Sequence, residues 1–169
     1  MTNEPTSPPP YLSPDKLLAL GAYGEMVAAY RYLVLAERAV PEEDRRIFAR
    51  LADEEQENKQ RLQKLLAERY PDADFVLTAE DKELVVTGPR LLDAHREVAF
   101  AEALEMMLET ERKVAEFYAR HALDMQCQGH ADAVAEPDLR ALFKQLAEES
   151  AQHHQHLLEL ARQRGAAPG

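Results

Sequence analysis

The sequence predicts an all-α protein, a four-helix bundle made of two antiparallel helical hairpins joined by a long crossover. Apolar residues recur at helical spacing over four long segments, and these segments form two pairs that repeat each other's register. Only 6 of the 169 residues are Gly, so few breaks interrupt the helical pattern. A chain of this length, with 46% hydrophobic and 30% charged residues, can bury a sizeable core as one globular domain.

The chain divides into a bundle and two short ends. Residues 1–13 are rich in proline and polar side chains, which predicts a disordered arm. The periodic pattern then occupies residues 14–164, the predicted bundle. Residues 165–169 are predicted to form a disordered tail.

The first two helices have recognisable ends. Ser13 is a good N-cap residue and Pro14 suits the first helical position, so the first helix should begin there and continue to about Val40. The second should begin near Glu42, where three consecutive acidic residues complement the positive end of the helix dipole. It should end at Tyr70, because a proline follows.

The second half of the chain follows the same plan after a long connection. Periodicity lapses over residues 71–89, which is long enough to cross from one end of a bundle to the other. The third helix should extend from about Leu91 to Met125. Pro137 is placed as the first residue of the fourth helix, which should end before Gly165.

Polar residues interrupt the apolar stripe of every predicted long helix. Residues three, four and seven apart share one helix face, so each polar position has apolar or tyrosine neighbours above and below it. An ionised carboxylate buried in such a place costs several kcal/mol unless it is paired or metal-bound. Several converging carboxylates would therefore need a cation or shared protons. The interrupting residues are Glu25 on the first helix, Glu55 and Asn58 on the second, Glu111 on the third, and Ser150 and His153 on the fourth.

This pattern resembles the ferritin-like di-iron carboxylate proteins, which carry a Glu on helices one and three and Glu-x-x-His on helices two and four. Glu25 lies seven residues before Tyr32 and Glu111 seven residues before Tyr118. With the Leu-Ala-acid-Glu-Glu sequence before the second motif, this spacing is similar to that of the rubrerythrin group. The resemblance covers about residues 15–163 and implies a ferritin-like bundle.

The sequence departs from that motif at two positions. Asn58 stands where the resemblance implies a His, and Ser150 stands where it implies a bridging Glu. A complete di-iron site is therefore not expected. Glu55, Glu111 and His153 remain as a mononuclear set, to which Asn58 and Glu25 could add oxygen ligands.

One alternative register would use a different acid on the fourth helix. Glu149 lies four residues before His153 and could replace Ser150 at the centre. Its stripe is less apolar, so Ser150 is the preferred central position.

The resemblance implies an oxidoreductase or peroxidase that uses Fe or Mn with dioxygen or peroxide. Tyr32 and Tyr118 are the catalytic candidates, since either could exchange an electron or a proton. Electrons would come from a separate donor, because the single Cys127 provides no rubredoxin module. Two alternatives stay open: a metal-free interaction or structural protein with a relic site, and iron binding or storage.

Charge and hydropathy indicate the partners. A net charge of −11 argues against nucleic acid, whose binding depends on clustered Lys and Arg. The sequence lacks a signal-like N-terminus and a long apolar run, so no membrane association and a cytoplasmic location are expected. The resemblance implies a homodimer.

Overall fold

The computed structural model describes residues 12–86, 98–127 and 136–164. In these residues, the first long helix packs against the second and the third against the fourth, and the first also contacts the third. The predicted all-α architecture of two helical hairpins is confirmed. The predicted arm and tail fall mainly on residues 1–11 and 165–169, which lie outside the described residues. The helices are α1 (Pro14–Arg38), α2 (Glu42–Arg69), α3 (Ala79–Glu83), α4 (Phe100–Cys127) and α5 (Glu136–Gln163).

The predicted ends of the first hairpin agree closely with the structure. α1 begins directly after Ser13 with its proline at the first helical position. It ends at Arg38, before the predicted Val40, because a residue that precedes a proline avoids helical backbone angles. α2 begins at Glu42, as predicted, and Tyr70 is its C-cap.

The short helix α3 within the crossover was not predicted. It begins at a capping box in which the Asp81 N–H donates to Thr78 Oγ1 (3.1 Å) and the Thr78 N–H donates to Asp81 Oδ2 (2.8 Å). Lys16 Nζ on α1 lies 3.0 Å from Asp81 Oδ1. The crossover then passes so close to α1 that a Cβ on Gly24 would lie 3.1 Å from Val85 Cβ. These contacts place this part of the crossover against the side of α1.

The predicted start of the third helix near Leu91 falls on residues 87–97, which lie outside the described residues. Val98 and Ala99 are not helical, and α4 begins at Phe100. Val98 and Phe100 nevertheless both pack against the core. Apolar residues two positions apart suit an extended segment that leads into the helix. The sequence pattern does not distinguish such a segment from a continuing helix.

Two apolar clusters fill the bundle, with a polar layer between them. Each long helix contributes residues to both clusters, and the two clusters lie on either side of its central polar position. None of the helices in the described residues is both long and apolar enough to cross a membrane. The first cluster contains Leu18, Leu62, Tyr118 and Phe143, and the second contains Tyr32, Phe48, Leu104 and Leu157.

Candidate metal centre

All six predicted ligand positions are buried in the polar layer. Their exposed fractions range from 1% to 8%, so bulk water hardly reaches them. The layer therefore has the low dielectric in which charged side chains need partners. Its members are Glu25, Glu55, Asn58, Glu111, Ser150 and His153.

Three of these six side chains bring their ligand atoms together. One ligand atom from each of Glu55, Glu111 and His153 lies within 4.8 Å of the other two. His153 Nδ1 is 2.6 Å from Glu55 Oε1 and 3.5 Å from Glu111 Oε1. Because α2, α4 and α5 supply one ligand each, the group depends on both hairpins.

Two of these atoms lack a hydrogen bond. Glu55 Oε1 and His153 Nδ1 are buried, and neither has a hydrogen-bond partner among the residues that the structure describes. Although they lie only 2.6 Å apart, their geometry is not that of a hydrogen bond. A buried polar atom without a partner costs about 1–3 kcal/mol. Converging buried oxygen and nitrogen atoms of this kind fit a divalent metal ion, which would satisfy both.

Two tyrosines connect α1 and α4 across the layer. The Tyr32 hydroxyl donates a hydrogen bond to Glu111 Oε1, and the Tyr118 hydroxyl donates one to Glu25 Oε1 at 2.5 Å. Burial, followed by the neighbouring carboxylates, raises the pKa of both phenols well above the ordinary value. Both side chains therefore remain protonated donors at neutral pH.

The layer retains protons that an exposed cluster would lose. Burial, followed by the charges of Glu25 and Glu111, raises the pKa of Glu55 well above its ordinary value. Burial also raises the pKa of Glu25, although contacts with Glu55 and Tyr118 oppose the rise. For His153, burial lowers the pKa, but the nearby carboxylates of Glu111 and then Glu54 outweigh it and raise the pKa to about 9.

A protein-family model described as Rubrerythrin matches residues 16–136. The chain belongs to the rubrerythrin family. Within the match lie Glu25, Glu55 and Glu111, whereas Ser150 and His153 follow it. No curated protein matches the chain, and no solved structure matches it. Rubrerythrins bind iron, and the buried Glu/Glu/His group of this family member could bind a metal.

The two positions that depart from the rubrerythrin motif do not complete a second ligand group. Asn58 Nδ2 donates to Glu149 Oε2 at 3.0 Å, and Gln145 donates to the other oxygen of Glu149 at 2.9 Å. Ser150 is buried at the central position, while Glu149 is only half-buried. Glu149 therefore accepts its hydrogen bonds at the edge of the layer. Among the acidic residues that the structure describes, Glu25 is not part of the three-ligand group.

Two features of the site could not be predicted from the sequence. Glu54 was not among the predicted site residues, yet its Oε2 lies 2.9 Å from His153 Nε2. Arg31 is buried and donates to Thr110 Oγ1 at 3.0 Å, and that hydroxyl donates to the Met106 carbonyl at 2.8 Å. The sequence carries no signal for either contact, because each joins residues far apart in the chain.

A polar cleft of about 600 Å³ leads from the surface to one edge of the layer, between α2 and α5. His153 and Asn58 line it, together with the side chains of Glu54, Glu149 and Arg61. The cleft gives a small ion or molecule a route toward the imidazole of His153.

Proposed function

We propose that this rubrerythrin-family protein is a metal-dependent oxidoreductase that acts with dioxygen or peroxide. One iron or manganese ion per chain would be held by Glu55, Glu111 and His153. The observation that carries this proposal is the convergence of three buried ligand atoms, two of which lack a hydrogen bond. Carboxylate oxygens with one imidazole suit Fe(II) or Mn(II).

A single ion fits the charges of the layer better than two ions. The carboxylates of Glu55 and Glu111 with a neutral imidazole balance one divalent cation. The second half of a two-metal site would need the bridging carboxylate and the imidazole that Ser150 and Asn58 replace. Glu25 lies outside the three-ligand group of the described residues.

The chain's own residues would control protons and water around the ion. When bound, iron or manganese would supply the electron exchange with the oxidant. Tyr32 holds its phenolic proton against Glu111 Oε1, so a proton is stored one hydrogen bond from the proposed ligands. Tyr118 does the same at Glu25. The apolar clusters above and below the layer exclude water, and electrons would come from a separate donor protein.

A peroxidase assay tests this function. Protein loaded anaerobically with Fe(II) or Mn(II) should oxidise a reducing dye with hydrogen peroxide faster than the free metal in buffer. His153→Ala should lose this excess rate, because the variant lacks the imidazole ligand. Glu57→Gln, which changes an exposed residue of α2, should retain it. A loaded natural protein that works only at the buffer rate would refute the oxidoreductase proposal.

A metal-free interaction protein is the second candidate. It is favoured by the hydrogen bonds of both tyrosines, which stabilise two carboxylates without a metal. It is also favoured by the raised pKa of Glu55, because a retained proton lowers the negative charge of the layer. The double variant Asn58→His with Ser150→Glu separates the candidates. Two bound metals in that variant and none in the natural protein would support the relic site.

The predicted homodimer remains a proposal for either candidate. Met26 and Leu33 lie seven residues apart on α1 and are 37% and 50% exposed, which would suit helix pairing between two chains. Sedimentation equilibrium would measure the mass. A particle far larger than a dimer would instead favour iron storage.

A further inference from the structure

We infer that Glu54 is a positioning residue for His153, which holds the imidazole ring so that Nδ1 faces Glu55 and Glu111. This inference rests on the proposed metal site, because it concerns the orientation of one of its three ligands. It gives a role to an acidic residue whose side chain is 45% exposed and lies outside the buried group.

The two ring nitrogens of His153 face different carboxylates. Nε2 lies 2.9 Å from Glu54 Oε2, whereas Nδ1 lies 2.6 Å from Glu55 Oε1 and 3.5 Å from Glu111 Oε1. In a neutral imidazole, one nitrogen carries the hydrogen and the other presents a lone pair. In the neutral ring that metal binding requires, Nε2–H donates to Glu54, so that the lone pair is on Nδ1 and points into the ligand group. Metal-binding histidines commonly donate their second N–H to a carboxylate or carbonyl in this way.

Glu54 is itself held on its other side. Its Oε1 lies 3.6 Å from Arg50 Nε, one turn earlier on α2. The Arg50, Glu54 and His153 side chains thus form a chain from the cleft to the ligand group. The edge of the imidazole also meets the Tyr32 ring, with centroids 6.3 Å apart and planes at 90°. Together, the aromatic contact and the carboxylate restrict rotation of the imidazole.

This role can be separated from the stability of the fold. Exposed ion pairs on helices contribute only about 0.3–0.5 kcal/mol, so loss of the Arg50 contact should leave the bundle intact. Glu57 provides a matched control, because it is an exposed acid on the same helix that lines the same cleft. Removing either residue lowers the negative charge of the cleft by one, but only Glu54 bonds His153.

Titration with Co(II), followed by its visible absorption, tests the inference. Glu54→Ala should weaken Co(II) binding about 10- to 100-fold, as is typical when such an outer partner is lost. Glu54→Gln should recover most of the affinity, because its amide oxygen still accepts from Nε2–H. Glu57→Ala should bind like the natural protein. Equal affinity for Glu54→Ala and the natural protein would overturn the positioning role. Equal losses in Glu54→Gln or in Glu57→Ala would also overturn it, since charge alone would then explain the effect.

A second measurement keeps the inference separate from the proposed metal site. In the metal-free protein, the Nε2 proton of His153 should give a slowly exchanging, downfield nitrogen-bound NMR signal. Glu54→Gln should retain this signal and Glu54→Ala should lose it. If the natural protein binds no Co(II), the metal site fails but the NMR comparison still decides the role of Glu54. An unchanged signal in Glu54→Ala would refute it.

Discussion

Replacing Glu55 with Gln should stabilise the metal-free protein at neutral pH. Glu55 is 2% exposed, its Oε1 has no hydrogen-bond partner within the described residues, and two other carboxylates lie close to it. Burial and those carboxylates raise its pKa well above the ordinary value. The carboxyl therefore either keeps a proton that the unfolded chain has released or ionises next to like charges. Both states oppose folding, and a neutral amide of the same shape avoids both.

The size and the pH dependence of this effect follow from the same contacts. An unsatisfied buried polar atom costs about 1–3 kcal/mol and more when its group is charged, and the Gln amide cannot become charged, so a gain of about 2 kcal/mol is expected. For a chain of this length, that gain raises the melting temperature by about 4–8 °C. Below the unfolded pKa, both states carry the proton, and Glu55 causes no loss of stability. As the pH rises above that value, only the unfolded chain releases the proton, so the stability of the natural protein falls. The stability of the Gln variant lacks this fall.

Differential scanning calorimetry of chelator-treated protein between pH 4.5 and 8 measures this difference. The advantage of Glu55→Gln should be smallest at pH 4.5 and grow toward neutral pH. Glu57→Gln, at an exposed position of the same helix, should change the melting temperature little. With saturating metal the order should reverse, because a ligand at 100 times its Kd adds about 2.7 kcal/mol only to the protein that binds it. A lower melting temperature for metal-free Glu55→Gln at pH 7 would refute the reasoning.

Three further predictions concern the same layer. Tyr118→Phe leaves a buried oxygen of Glu25 without its donor and should cost about 1–3 kcal/mol, seen as a lower urea midpoint; an unchanged midpoint would contradict this. Gly21→Ala should destabilise the fold by about 1 kcal/mol, although alanine has the better helix propensity, because the added Cβ would lie 3.1 Å from the Tyr118 hydroxyl. A higher melting temperature would contradict this and show that the Tyr118 side chain can move to make room. Metal affinity should rise with pH between about 6 and 9, because binding displaces protons from Glu55 and from His153, whose pKa is about 9. Isothermal titration calorimetry in two buffers would detect the released protons. An affinity that does not change with pH would argue against these ligands.

The helical period made the bundle and the polar layer predictable. Because residues seven apart share a face, the positions of Glu25 and Glu111 relative to their tyrosines required both acids to face the core. The same argument applied to Glu55 and His153, and the structure places all four side chains in one buried layer. Which of them meet depends on packing between hairpins, so the separation of Glu25 from the three-ligand group could not be derived from spacing.

Contacts at the edge of the layer could not be predicted from the sequence for a different reason. Glu54 lies beside Glu55 on α2, and helical geometry alone directs it away from the core. Its bond to His153 depends on the rotation of an imidazole on α5, which follows from three-dimensional packing. The crossover shows the opposite case, because Thr78 and Asp81 form a capping-box pattern that is recognisable in the sequence.

The most direct test of the central claim is elemental analysis of protein purified without an affinity tag, after anaerobic loading with Fe(II) or Mn(II) and removal of free metal. The claim predicts about one bound ion per chain, and loss of that ion in each of Glu55→Gln, Glu111→Gln and His153→Ala. Two ions per chain would contradict the mononuclear centre. No bound ion under any loading condition would contradict the metal centre itself and would leave the buried layer as a proton-sharing core.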